Sequence, residues 1–130
     1  MVRRYLAEKV RARLFKGKAV LIYGPRQAGK TTLINDLLDS SDYNVLRLNG
    51  DEYDVRELFK EANASSLKSV IGGHNLLFID EAQRIENIGL AIKIIVDQIE
   101  GVQVIATGSS SFELQSTIKE PLTGRKYEFN

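Results

Sequence analysis

The chain of 130 residues has no cysteine, no tryptophan, one histidine and two prolines. Each scarcity closes off a class of protein. Without cysteine there is neither a disulfide scaffold nor a thiolate metal centre. A single histidine, His74, argues against a histidine-built zinc site. No apolar run approaches the roughly 18 residues of a membrane helix, and no signal-peptide pattern opens the chain. The expected compartment is the cytoplasm, with no membrane partner. Repeats, low-complexity tracts and Pro/Ser-rich linkers are also missing, so residues 1–130 read as one domain. What is present suits a globular core, with 43% hydrophobic and 27% charged residues. A chain of this size can bury roughly two-thirds of its unfolded surface.

The net charge of +1 conceals an asymmetry. Arg3, Arg4, Lys9, Arg11, Arg13, Lys16 and Lys18 crowd the first 18 residues against one acid, Glu8. Such an end either steers toward phosphates, of a nucleotide or of nucleic acid, or is a solvated helix face. The same segment carries Val2, Leu6, Val10 and Leu14 at every fourth position, the stripe of an amphipathic helix ending near Gly17.

Strand and helix patterns then alternate. Ala19–Tyr23 (AVLIY) is an apolar run bounded by Gly24-Pro25, as expected of a strand buried on both faces. Leu33, Ile34, Leu37 and Leu38 mark a helix from Gly29 to about Asp39. Val45–Leu48 reads as a second strand ending in Asn49-Gly50-Asp51, and Val55, Leu58, Phe59 and Ala62 as another helix. Leu76–Ile79 is a third strand after Gly72-Gly73. Ile88, Ile92, Ile95 and Ile99 stripe a helix that stops at Gly101, and Val102–Ala106 is a fourth strand. Tyr127–Phe129 opens a fifth. The alternation predicts an α/β fold with a mostly parallel sheet covered on both faces.

Gly24-Pro25-Arg26-Gln27-Ala28-Gly29-Lys30-Thr31 fits the pattern G-x-x-x-x-G-K-[ST] at a strand-to-helix junction. Glycines let the backbone wrap phosphate oxygens, and N–H groups from about Gln27 to Thr31 can donate to them. The positive end of the following helix faces the same charge. Lys30 reaches the β- and γ-phosphates, the Thr31 hydroxyl ligates Mg²⁺ and Thr32 lies near the α-phosphate. Asp80-Glu81 closes the third strand, at the edge where open α/β sheets bind ligands. Asp80 suits Mg²⁺, mostly through water, and Glu81 suits activation of the attacking water. An acidic pair there also serves to start a loop or cap a helix. Ras-type GTPases place a glycine shortly after the metal aspartate and carry Asn-Lys-x-Asp; neither is here, which favours ATP. Thr107-Gly108-Ser109-Ser110-Ser111 brings hydroxyls to that edge, although Ser110-x-x-Glu113 also fits a helix capping box.

In their order, GPRQAGKTT, LLFIDEAQRI, VIATGSSSFEL and PLTGRKYEFN resemble a bacterial and archaeal AAA+-like ATPase family from about Lys18 onward. The resemblance implies a three-layer P-loop NTPase with sheet order 5-1-4-3-2 and ATP/ADP and Mg²⁺ as cofactors. It implies phosphate and metal roles for Lys30, Thr31 and Asp80, and a catalytic base at Glu81. Ser109 or Ser110 takes the sensor position, and Arg125 meets γ-phosphate in cis or from a neighbouring subunit, unless it is an ordinary surface arginine. Longer members of that family continue into further domains, so the fifth strand is expected to be cut short at Asn130. A homo-oligomer or a missing C-terminal domain would supply partners, and nucleic acid stays open.

The expected activity is Mg²⁺-dependent ATP hydrolysis driving a partner. A nucleotide-dependent switch without useful turnover is the non-enzymatic alternative. Asp80-Glu81-Ala82-Gln83 also resembles helicase motif II, but a second lobe does not fit in 130 residues. Asp51 and Glu52 read as a turn before the next helix or as acids that approach the nucleotide, His74 as a loop residue, and Gln83 and Arg84 as links from the acidic pair to a partner.

Overall fold

Apolar but for one hydroxyl, Ala19–Tyr23 can only be a strand with both faces covered, and all five residues are buried as β1. The structure is a computed structural model describing residues 2–24, 29–108 and 124–129, with the side chains of residues 2–4 and Lys30 outside the description. β2 (Val45–Asn49), β3 (Leu76–Asp80), β4 (Gln103–Gly108) and β5 (Lys126–Phe129) complete a five-stranded sheet. All neighbours run parallel, in the order β2-β3-β4-β1-β5. This is the expected 5-1-4-3-2 order, with β4 inserted between β1 and β3.

Alternate residues of the strands feed two cores. Val20, Ile22, Leu76, Phe78 and Ile105 pack beneath α1 (Val2–Ala12) and α2 (Lys30–Asp39). Leu21, Tyr23, Leu77, Ile79 and Val104 pack beneath α3 (Tyr53–Leu58), α4 (Ala64–Ile71) and α5 (Ile88–Gln98). The three layers follow from that alternation. Ile88, Ile92 and Ile95 of α5 are fully buried, each worth about 1.5–3 kcal/mol of transfer free energy.

Three boundaries differ from the sequence expectation, each for a local reason. α1 stops at Ala12, but its stripe persists because Arg13 and Leu14 donate to the carbonyls of Val10 and Arg11, keeping Leu14 buried. The helix expected over Val55–Ala62 ends at Leu58. α4 was not expected at all. Asn63 starts it with a reciprocal cap, its side chain accepting from the Ser66 N–H while the Ser66 hydroxyl accepts from the Asn63 N–H. Leu67 and Ile71 then supply only two buried positions, too few to stand out as a stripe.

Gln103 is a buried amide at the start of β4. Its Oε1 accepts from the Phe15 N–H, and its Nε2 donates to the carbonyls of Lys18 and Val104. It therefore bolts the α1–β1 turn to the sheet. Because all strands are parallel, Tyr23, Asn49, Asp80 and Gly108 end together at the carboxyl edge, while Ala19, Gln103 and Lys126 begin at the amino edge.

Candidate nucleotide-binding site

The carboxyl edge gathers the ends of β1, β2, β3 and β4. Gly24 follows β1 and donates its N–H to the Gly108 carbonyl at 3.2 Å, so the ends of β1 and β4 stay joined. Gly29 precedes α2 with φ 76° and ψ 14°, a left-handed conformation that a side chain would resist, and Leu33 donates to its carbonyl. α2 starts at Lys30, so the helix N-terminus opens at this edge. Pro25, Arg26, Gln27 and Ala28 lie outside the described residues.

Asp80 is the centre of the cluster. Thr31, on the first turn of α2, brings its hydroxyl 3.1 Å from both Asp80 carboxylate oxygens. From β4, the fully buried Thr107 hydroxyl donates to Asp80 Oδ1 at 2.5 Å. The Glu81 N–H donates to the same Oδ1 at 3.1 Å and to Thr107 Oγ1 at 3.3 Å. Three elements of the fold, α2, β3 and β4, thus close on one carboxylate. Thr32, one residue on, is exposed.

Glu81 departs from the strand with φ 51° and ψ 48°. Left-handed backbone at a non-glycine residue costs about 1–2 kcal/mol, and neighbouring contacts hold it there. Gly50 lies against the turn: it donates its N–H to the Asp80 carbonyl at 2.7 Å, and a Cβ on it would overlap the Glu81 carbonyl oxygen. Arg56 fastens the loop from behind, donating to the carbonyls of Gly50 and Asp51. The Glu81 side chain is buried, its Oε1 accepting from Gln83 Nε2 at 2.8 Å.

A cleft of about 200 Å³ opens beside Thr31 and Asp80, lined also by Asn35, Asn49 and Glu52. Glu52 lines this cleft, while Asp51 pairs with Arg84 at 3.8 Å. The sequence also gave no weight to Thr107 in particular. Its position at the end of a buried strand beside the acidic pair was the available signal, but adjacent serines drew attention past it. Ser109 and Ser110 lie outside the described residues.

Arg125 lies away from the carboxyl edge, which bears on its expected contact in cis. It stands just before β5, its carbonyl accepting from the Ala19 N–H, which places it at the amino edge. Its Nε donates to both carboxylate oxygens of Asp97 on α5, at 2.8 and 3.0 Å. The length of β1, five residues at about 3.3 Å each, separates it from the phosphate-loop edge. Arg125 therefore does not reach a γ-phosphate held by its own chain. Two residues of the basic segment lie at the amino edge too: Arg13 and Lys18 are both over the ring of Tyr127, whose partner Val20 is in the amino half of β1. Neither faces the phosphate loop.

The donor set fits Mg²⁺. A hydroxyl and a carboxylate are hard oxygen ligands, and Mg²⁺ takes few of them from protein, keeping waters and phosphate oxygens. Among the described residues no three His, Cys, Asp or Glu side chains gather, so an all-protein metal cage is absent there. Among the same residues no helix is long and apolar enough to cross a membrane.

Known proteins place the fold in context. An uncharacterized protein of Mycobacterium tuberculosis is 33% identical over 124 residues, covering 95% of this chain. The chain spans only 27% of that relative's length. The replication factor C large subunit of Methanosarcina acetivorans is 30% identical over 81 residues, 61% of this chain and 13% of the subunit. Among solved structures, a RuvB protein of Thermotoga maritima superposes with a TM-score of 0.61 over 99% of this chain and 44% of its own, at 21% identity. That likeness speaks to the fold, a RuvB-like P-loop NTPase sheet. A family described as an AAA domain matches residues 16–130. The chain belongs to this AAA-domain family of P-loop ATPases, and nucleotide binding of the ATPase kind is the function that membership supports.

Proposed function

We propose that the chain binds ATP together with Mg²⁺ at the carboxyl edge of the sheet and hydrolyses it. The observation that carries this reading is the convergence of Thr31, Thr107 and the Glu81 N–H on the Asp80 carboxylate. Such an arrangement aims one acid at the mouth of a glycine turn and a helix N-terminus. Thr31 and Asp80 would hold the metal, which supplies charge neutralisation for the phosphates when bound. Backbone N–H groups of the loop from Gly24 to Thr31 bind the phosphates, and Lys30 neutralises the β- and γ-oxygens. Glu81 orients a water and accepts its proton, and Thr107 keeps the acidic pair in register. Ser109 and Ser110 are the remaining hydroxyls assigned to the γ-phosphate side. Arg125 serves a phosphate only if a neighbouring copy presents one, which makes a homo-oligomer part of the proposal.

Two substitutions test it together. Lys30→Ala abolishes ATP binding, measured by fluorescent-nucleotide titration. Glu81→Gln retains binding and loses turnover by about a hundredfold or more, the scale of general-base catalysis. Turnover by Glu81→Gln at the wild-type rate would remove the base assignment.

A further inference from the structure

We propose that Gln83 is the positioning residue for Glu81: its side-chain amide fixes the carboxylate that activates water. The inference rests on the reading of Glu81 as the base, and it concerns the group that aims it. Glutamate has three rotatable side-chain bonds, and burial alone does not select one rotamer. A base must present one lone pair to water in a narrow range of directions, so a second contact has to supply the selection. The Gln83 Nε2 donor does this at 2.8 Å from Oε1.

The donor sits on a firmly seated element. Ala82–Arg84 forms one 3₁₀ turn, with Ala82 fully buried and the Ile85 N–H bonded back to the Ala82 carbonyl. Arg84 reaches Asp51 across the β2–α3 loop, and the Arg84 N–H returns to the Glu81 carbonyl at 3.1 Å. Backbone and side chain of Glu81 are thus held from separate directions: Asp80 and Thr107 grip its N–H, Gln83 its carboxylate. The chemistry of the donor is telling. A lysine or arginine would set a full charge beside the base and draw its electrons, whereas a neutral amide orients it without that penalty.

The test is Gln83→Met, which keeps the unbranched shape and removes the donor, alongside Gln83→Glu, which replaces a donor by a like charge. Steady-state hydrolysis and ATP titration are measured on the full chain with Mg²⁺. The expected result is a fall in kcat of about tenfold for Gln83→Met, with KM, ATP affinity and melting temperature close to wild type, and a larger fall in kcat for Gln83→Glu at unchanged ATP affinity. A merely structural role would move affinity and melting temperature along with kcat, and that result overturns the proposal. So does a kcat for Gln83→Met within twofold of wild type while Glu81→Gln is inactive. Wild-type turnover in Glu81→Gln, or no hydrolysis by the wild-type chain, defeats the underlying base reading instead, and the positioning role with it.

Discussion

The two edges of the sheet are made by the same five strands, yet they bond in different ways. At the carboxyl edge polar groups converge: the Thr31 and Thr107 hydroxyls and the Glu81 N–H all address Asp80. At the amino edge polar groups tie elements to elements. Gln103 fastens the α1–β1 turn to β4, and Arg125 fastens the start of β5 to α5 through Asp97. Among the described residues, cavities of about 610 and 430 Å³ lie at the amino edge, beside Gly72–His74 and Phe15–Lys18. The difference teaches that a reactive edge is recognised by convergence of hydrogen bonds on one acid, whereas a merely structural edge disperses them.

The comparison breaks most severely at Gly50. A Cβ there meets backbone atoms of Glu81 and Asp80, which cannot swing aside as a side-chain tip can. Gly50→Ala is expected to cost about 1–3 kcal/mol of stability, as overpacking does. Because the displaced atoms belong to the acidic turn, hydrolysis should fall further, by about a hundredfold. Denaturant melts and turnover measured on one preparation check both. Equal, small losses would mean that the β2–α3 loop yields freely and does not shape the turn.

Gln103→Leu is the counterpart at the amino edge. Removing the amide strands the Phe15 N–H and the Lys18 carbonyl, for a loss of about 1–3 kcal/mol. The rate per folded molecule should not change, because Gln103 lies at the far end of β4 from Thr107. A rate loss exceeding the stability loss would join the two edges functionally.

The architecture was legible because its signals are periodic or geometric. Apolar runs named the buried strands, and a glycine motif marked the junction of β1 and α2. α4 was hidden because a short helix with two buried residues has almost no period, and its start was written in a single Asn63–Ser66 exchange. Asp80 and Thr31 could be paired from motif order, and the structure places them 3.1 Å apart. Thr107 could not be separated from the serines after it, because neighbouring hydroxyls look alike in sequence and only register decides which one faces β3. Arg125 shows the opposite limit. A basic residue in a recognisable motif suggested phosphate, but its place at the beginning of a parallel strand puts it at the wrong edge for its own nucleotide.

Thr107→Val sharpens the carboxyl-edge side with a near-isosteric change. The methyl that replaces the hydroxyl leaves the Asp80 carboxylate without its shortest contact and the Glu81 N–H without one acceptor. About 1–2 kcal/mol of stability is expected to be lost, together with a tenfold fall in kcat at unchanged ATP affinity. Retained kcat would show that Thr31 and the Glu81 N–H suffice to hold Asp80.

The smallest effect is expected for Arg125→Ala, and it decides how far the amino edge is only structural. Both partners of its ion pair with Asp97 are about a third exposed, at 36% each, so the pair contributes at most about 1 kcal/mol. In a dilute, monomeric preparation the rate should match wild type, since the guanidinium lies a full strand length from its own phosphate loop. Turnover is then followed as protein concentration is raised. If wild-type activity rises with concentration and Arg125→Ala does not, a neighbouring copy takes the arginine from Asp97 for its own γ-phosphate. Asp97→Asn should then respond at lower concentration than wild type, because it frees the same guanidinium. Identical curves for all three chains would leave Arg125 as a strap on β5 and nothing more.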